Sequence, residues 1–174
     1  MKHYRFVVAL WLALGVPLGA LGQAVGILHI NPLHLELPTT WNFDGTKHPI
    51  EGRGPTGEKV LISVYRQVQG GSSESIPPPS QAAEGFAHGL MTQLATKGGQ
   101  VVVRQISDFP LAVGKIGFSA ASESSHVFGG KSYFVQYVLA SPSALIYFTF
   151  EGKGDALSAA QRLDALFTKQ TWDD

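Results

Sequence analysis

Alternating hydrophobic and polar side chains predict strands in the first part of the chain. Leucines stand at every second position of residues 33–37 with polar residues between them, a period of two that is typical of a strand burying one face. Pro38 ends this strand. Shorter runs at 41–43 and 60–68 predict two more strands, and a segment rich in glycine and proline, 44–58, lies between them. We therefore expect three strands, with a long loop between the second and the third.

Apolar side chains at spacings of three and four predict two helices. Ser80 can cap the first, which begins at Gln81 and has an apolar stripe through residues 83–94. Asp155 can cap the second, whose stripe runs through 157–167. The stretch before the first helix, 69–80, is rich in Gly, Ser and Pro, and we expect it to cross the surface rather than to separate two domains.

Four strand-like runs lie between the helices, at 101–107, 115–121, 132–140 and 144–150. Their short connections predict antiparallel neighbours. The last two runs are apolar at both odd and even positions, so they belong at the centre of a sheet that is covered on both faces. The predicted fold is α+β: a seven-stranded, mainly antiparallel sheet with one helix on each face, in the order β-β-β-α-β-β-β-β-α.

Residues 1–24 have the pattern of a secretory signal peptide. Basic residues stand near the start, a short apolar run follows, and small residues precede Ala24. The apolar run is shorter than a helix that crosses a bilayer needs. We expect cleavage after Ala24, with Gly22 as the alternative, which leaves residues 25–174 as a single domain with no membrane anchor. Because the chain has no cysteine and no glycosylation sequon, we expect a bacterial protein that is periplasmic or secreted.

Net charge and cysteine content exclude several classes of function. The 13 basic and 13 acidic side chains balance, so the chain lacks the excess of positive charge that is typical of proteins that bind nucleic acid. Without cysteine it has no disulfides, thiolate metal sites or cysteine nucleophiles. Residues 52–57 match the pattern G-x-G-x-x-G, but a strand follows where a nucleotide-binding site needs a helix. We therefore expect no cofactor.

The order of elements and one short motif resemble a known family. The opening strand runs into Leu37 to Trp41 (LPTTW), which is similar to the turn that ends the first strand in the PsbP/DcrB-like family. The resemblance covers residues 32–172, nearly all of the expected mature chain. It implies an α/β/α sandwich. Because members of that family mostly bind other proteins or stabilise assemblies, it also implies a partner protein rather than a substrate.

Two loops supply the candidate partner-binding residues. The segment 44–58 is long for a connection between neighbouring strands and carries alternating charge, and binding residues gather in such loops. The loop 122–131 is the second candidate. The predicted binding residues are charged, imidazole or aromatic side chains of these loops: Lys47, His48, Glu51, Arg53, His126 and Phe128.

Three functions fit these observations. We predict a non-enzymatic, periplasmic protein-binding or accessory module that acts through its surface loops. The alternative is an immunity protein that inhibits a toxin delivered into the periplasm. The third interpretation is a hydrolase whose site residues are distant from one another in the sequence. No catalytic residue and no metal ligand is predicted, because the histidines lack the spacing of a metal site on one helix. A site assembled from histidines that are distant in sequence stays open.

Overall fold

Two antiparallel sheets form the described part of the chain. The computed structural model describes residues 25–66, 101–109, 115–125 and 129–173, together with positions 81, 85, 88, 89, 92 and 111. Ten strands lie in these ranges, and we number them in chain order. The strands are β1 (Val25–His29), β2 (Leu33–Pro38), β3 (Asn42–Asp44), β4 (Ile50–Arg53), β5 (Lys59–Arg66), β6 (Val101–Phe109), β7 (Ile116–Ser125), β8 (Lys131–Ala140), β9 (Ala144–Lys153) and β10 (Gln170–Trp172).

The strands are divided between a large and a small sheet. The large sheet has the order β3-β4-β5-β9-β8-β7-β6, and the small sheet has the order β1-β2-β10. Every pairing is antiparallel. The α+β class and the antiparallel arrangement are therefore confirmed. The prediction of a single sheet is wrong, because the leucine-rich strand β2 pairs with β1 and β10, and β4 takes its place in the large sheet.

One continuous helix, α1 (Ala156–Asp164), is present in the described ranges. Asp155 is its N-cap as predicted, and its carboxylate accepts a hydrogen bond from the Ser158 amide at 2.9 Å. The helix is shorter than expected, since a 3₁₀ turn (Ala165–Phe167) and then β10 follow it. Of the predicted first helix, positions 81, 85, 88, 89 and 92 are helical, and the rest lies outside the described residues. No described helix is long and apolar enough to cross a bilayer.

The main core lies on one face of the large sheet, which we call the inner face, under α1 and the small sheet. Tyr137 and Phe148 of the central strands meet Leu163 and Phe167 in one cluster of buried side chains. The opposite, outer face carries a second buried cluster around Val138. The prediction that β8 and β9 are central and buried on both faces is therefore confirmed.

Candidate functional site

The candidate functional site is an open cleft on the outer face, where β3, β4, β5 and β9 lie side by side. Its volume is about 560 Å³. The cleft is bordered mainly by polar and charged side chains, and Leu61 is an exposed apolar residue among them. The side chains that matter for its chemistry are Asp44, Lys47, Glu51, Arg53, Lys59, Leu61, Thr149 and Glu151.

Strand register places these side chains in rows. Arg53 of β4 lies directly opposite Lys59 of β5, and Lys59 lies directly opposite Glu151 of β9. Residues that are directly opposite each other in antiparallel strands share one face of the sheet. In the next row, Leu61 stands between Glu51 and Thr149. The cleft is therefore a surface of four strands, and its two cations, Arg53 and Lys59, stand on the two middle strands.

The charges at one end of the cleft are already paired. The Lys47 ammonium donates to the Glu51 carboxylate at 2.6 Å and lies 3.8 Å from the carboxylate of Asp44. Hydrogen bonds from the Thr46 hydroxyl and amide lower the pKa of Asp44, and the hydrogen bond to Glu51 raises the pKa of Lys47. In contrast, Arg53 and Lys59 have no carboxylate within 4 Å among the described residues.

The structure brings three of the predicted binding residues together. Lys47, Glu51 and Arg53 border the cleft. His48 is exposed in the turn before β4 and does not border it, and His126 and Phe128 lie outside the described residues.

The prediction that residues 44–58 form one long loop is wrong. These residues form the hairpin of β3 and β4 and the turn before β5. Gly52 fits a strand here since the ring of Phe43 lies over it. A Cβ atom at Gly52 would meet Cδ1 of Phe43 at 2.6 Å. Gly52 is therefore required by close packing against an aromatic ring and does not mark a turn.

Two buried glutamates lie on the inner face, where sequence analysis had not placed them. The Glu58 carboxylate accepts hydrogen bonds from the Thr56 amide at 3.0 Å and from the Arg162 guanidinium of α1 at 3.4 Å. Glu123 accepts hydrogen bonds from Lys131 at 3.0 Å and from the Ala156 amide, in the first turn of α1, at 3.3 Å. Both carboxylates thus hold the helix to the sheet.

A tyrosine stands between the two glutamates. Tyr133 lies opposite Glu123 on one side and Gly152 on the other, and burial together with the charge of Glu58 raises its pKa. Glu123 lies on β7, and Glu58 directly precedes β5, so two strands, β8 and β9, lie between their positions in the sheet. Each carboxylate has its own set of hydrogen-bond donors, and both sets include a group of α1.

We expect Glu58→Gln to weaken the acid dependence of stability. Burial raises the pKa of Glu58, but hydrogen bonds from the Thr56 hydroxyl, from backbone amides and from Arg162 outweigh it and hold the pKa below its usual value. Such a group stabilises the fold above its unfolded pKa, and this contribution is lost as pH falls through the lower, folded pKa. Between about pH 5 and pH 3, which spans an ordinary Glu pKa, the unmodified chain should lose about 1 kcal/mol more than the variant.

Urea unfolding at a series of pH values measures this difference. Glu151→Gln is the matched control because it removes an exposed carboxylate that has no ion pair among the described residues. An acid dependence in Glu58→Gln equal to that of the unmodified chain would show that other carboxyls cause it.

Comparison with known proteins identifies the architecture. No family model and no curated protein matches the chain. The solution structure of cyanobacterial PsbP (CyanoP) from Synechocystis sp. PCC 6803 matches with a TM-score of 0.56 and 11% identity, over 92% of this chain and 99% of that one. LpqN from Mycobacterium tuberculosis, described as involved in cell envelope biogenesis, matches with a TM-score of 0.56 and 14% identity, over 87% and 91% of the two chains. At these identities the likeness is one of fold, and the chain has a PsbP-like fold.

Proposed function

We propose that this chain is a non-enzymatic accessory protein of the bacterial periplasm that binds another protein through the outer-face cleft. The observation that carries the proposal is the pair of cations at the centre of the cleft. Arg53 and Lys59 lie directly opposite each other, and neither has a carboxylate within 4 Å among the described residues. Like charges in this arrangement repel each other, and an anionic group placed between them removes the repulsion.

The neighbours of the cation pair indicate the chemistry of the partner. Leu61 is 39% exposed in the next row of the cleft, so an apolar side chain of the partner can pack against it. A carboxylate, from an acidic side chain or a C-terminus, suits the planar guanidinium of Arg53 because the two can form paired hydrogen bonds. We therefore expect the partner to present a carboxylate beside an apolar residue.

The buried polar groups support a binding role over an enzymatic one. Glu58 and Glu123 are each held by hydrogen bonds to α1, and they lie on the face opposite the cleft. A balanced net charge supports a protein partner rather than a nucleic acid. The signal-peptide pattern at 1–24 supports the periplasmic location.

We expect the double substitution Arg53→Ala and Lys59→Ala to weaken partner capture about tenfold or more, because truncation of a central interface residue costs about 2 kcal/mol. The measurement is the amount of partner retained from a periplasmic extract by each immobilised variant. A photoreactive residue at Leu61 should form a covalent adduct with the same partner.

Two controls separate a binding surface from general damage. Arg66→Ala removes an exposed arginine from the far end of the same strand, β5, and should leave capture unchanged. A photoreactive residue at Leu157, which is 41% exposed on α1, should form no adduct. Equal capture by the double variant and the unmodified chain would place the partner-binding surface elsewhere.

A further inference from the structure

A cross-strand pair of histidines lies on the exposed face of the small sheet. His29 of β1 is directly opposite His34 of β2, so the two side chains share one face. Leu33 and Leu35 flank His34 and are fully buried on the other face. The alternation of β2 therefore places the half-buried His34 on the face away from the core, beside the exposed His29 of β1, while the leucines pack into the core.

The two imidazole rings approach each other with the Nδ1 atom of each ring facing that of the other. Nδ1 of His29 lies 2.6 Å from Nδ1 of His34, and the rings are edge to face with their centroids 4.7 Å apart. One of these nitrogens must carry the proton and the other a lone pair, since two N–H groups cannot point at each other at this distance. A tautomeric shift that moves this proton to Nε2 of the same ring leaves two lone pairs directed at one shared position.

A carboxylate orients His34. The Asp173 carboxylate contacts Nε2 of His34, and the Asp173 amide donates to the Pro32 carbonyl at 2.9 Å. The carboxylate keeps a proton on Nε2, so Nδ1 of His34 faces His29 with its lone pair. Histidines that bind metal ions commonly have a carboxylate on their second nitrogen in this way. Asp173 is thus a positioning residue, because it contacts the nitrogen that faces away from the shared position.

The surroundings of the pair can accommodate an ion with bound water. The histidines border an open surface cleft of about 450 Å³. Lys169 also borders this cleft, and its ammonium lies 3.4 Å from the carboxylate of Glu36. The positive charge of Lys169 beside the cleft is therefore balanced by a neighbouring carboxylate.

We propose that His29 and His34 bind one divalent transition-metal ion, in the class of Zn²⁺, Cu²⁺ and Ni²⁺, which imidazole nitrogens suit. Two nitrogens bound at about 2.0–2.1 Å to one ion lie about 3 Å apart. The pair must therefore open slightly, and the exposed position of His29 allows this movement. No group of three or more His, Asp or Glu side chains in the described ranges could hold a metal. Water or a bound molecule completes the coordination, and the ion exchanges readily.

Titration of the full chain with Zn²⁺ tests the proposal. Calorimetry should show one site that is lost in His29→Ala and in His34→Ala, and Asp173→Asn should lower the affinity about tenfold or more. His48→Ala, which removes an exposed histidine in the turn before β4, is the matched control and should bind normally. In ¹⁵N spectra of the imidazoles, Zn²⁺ should shift Nδ1 of both ligands.

Three results would overturn the proposal: no zinc binding by the unmodified chain, unchanged affinity in the double variant His29→Ala with His34→Ala, or unchanged affinity in Asp173→Asn. Circular dichroism establishes that each variant is folded. If His34→Ala does not fold, His29→Ala decides the question, because His29 is exposed on β1.

Discussion

Replacing Phe167 with alanine is expected to lower the free energy of unfolding by about 3–5 kcal/mol. The ring is 1% exposed, and it packs against Tyr137 and Phe148 with centroid distances of 4.4 and 5.0 Å. It lies in the 3₁₀ turn after α1, where it joins the helix to the inner face of the large sheet. The surrounding rings come from rigid central strands and cannot close the cavity. Since domains are stable by about 5–15 kcal/mol, this loss is a large part of the total.

Urea unfolding measures the effect of Phe167→Ala as a shift of the midpoint. Leu157→Ala is the control, because Leu157 is 41% exposed on α1 and its truncation should change stability by about 0.5 kcal/mol or less. Similar midpoints for Phe167→Ala and Leu157→Ala would contradict the packing seen here. Phe167→Leu should fall between the unmodified chain and Phe167→Ala, because it leaves a smaller cavity.

Replacing Gly152 with alanine is expected to cost about 2–3 kcal/mol through overpacking. A Cβ atom at this position would overlap Oη of Tyr133 and would lie 2.5 Å from Cζ of the same ring. Tyr133 of β8 lies directly opposite Gly152 of β9. Because Tyr133 is only 3% exposed, its ring cannot move into solvent. The strand or the ring must shift, and both are fixed by the pairing of β8 with β9.

A double-mutant cycle tests the contact. In a Tyr133→Ala background the added methyl group meets no ring, so Gly152→Ala should cost much less there than in the unmodified chain. Gly45→Ala is the matched control, because a Cβ atom at Gly45 has no neighbour within 4 Å and Gly45 does not have a positive φ angle. An equal cost of Gly152→Ala in both backgrounds would exclude the Tyr133 contact as its cause.

Features that depend on near neighbours in the chain could be predicted from the sequence. The helix cap at Asp155 needs only an acceptor three residues before the Ser158 amide. The hairpin between β8 and β9 could be predicted because a short polar segment, 141–143, separates the two apolar strands. In this turn the Ser141 hydroxyl accepts a hydrogen bond from the Ala144 amide at 3.1 Å. Lys47 and Glu51 could be named as candidate site residues because they stand in one long segment of alternating charge, and their ion pair is local in sequence.

The division into two sheets could not be predicted in the same way. Alternation along 33–37 shows that one face of β2 is buried, but it does not show which strands pair with β2. The glycine-rich segment containing β4 was expected to form a loop, since glycine is depleted in strands. The ring of Phe43 over Gly52 compensates for the missing side chain, and that contact depends on the register of β3 with β4.

The sequence by itself determined the α+β class, the antiparallel central strands and the capped final helix, because periodicity and caps are set within a few residues. Only the tertiary structure decided which charged groups are buried and which histidines meet. Glu58 and Arg162 are 104 positions apart, and His34 and Asp173 are 139 positions apart. Such pairs depend on strand order and on the docking of α1 and β10. Many strand registers are compatible with the same hydrophobic pattern, and the packing of the whole chain selects one of them.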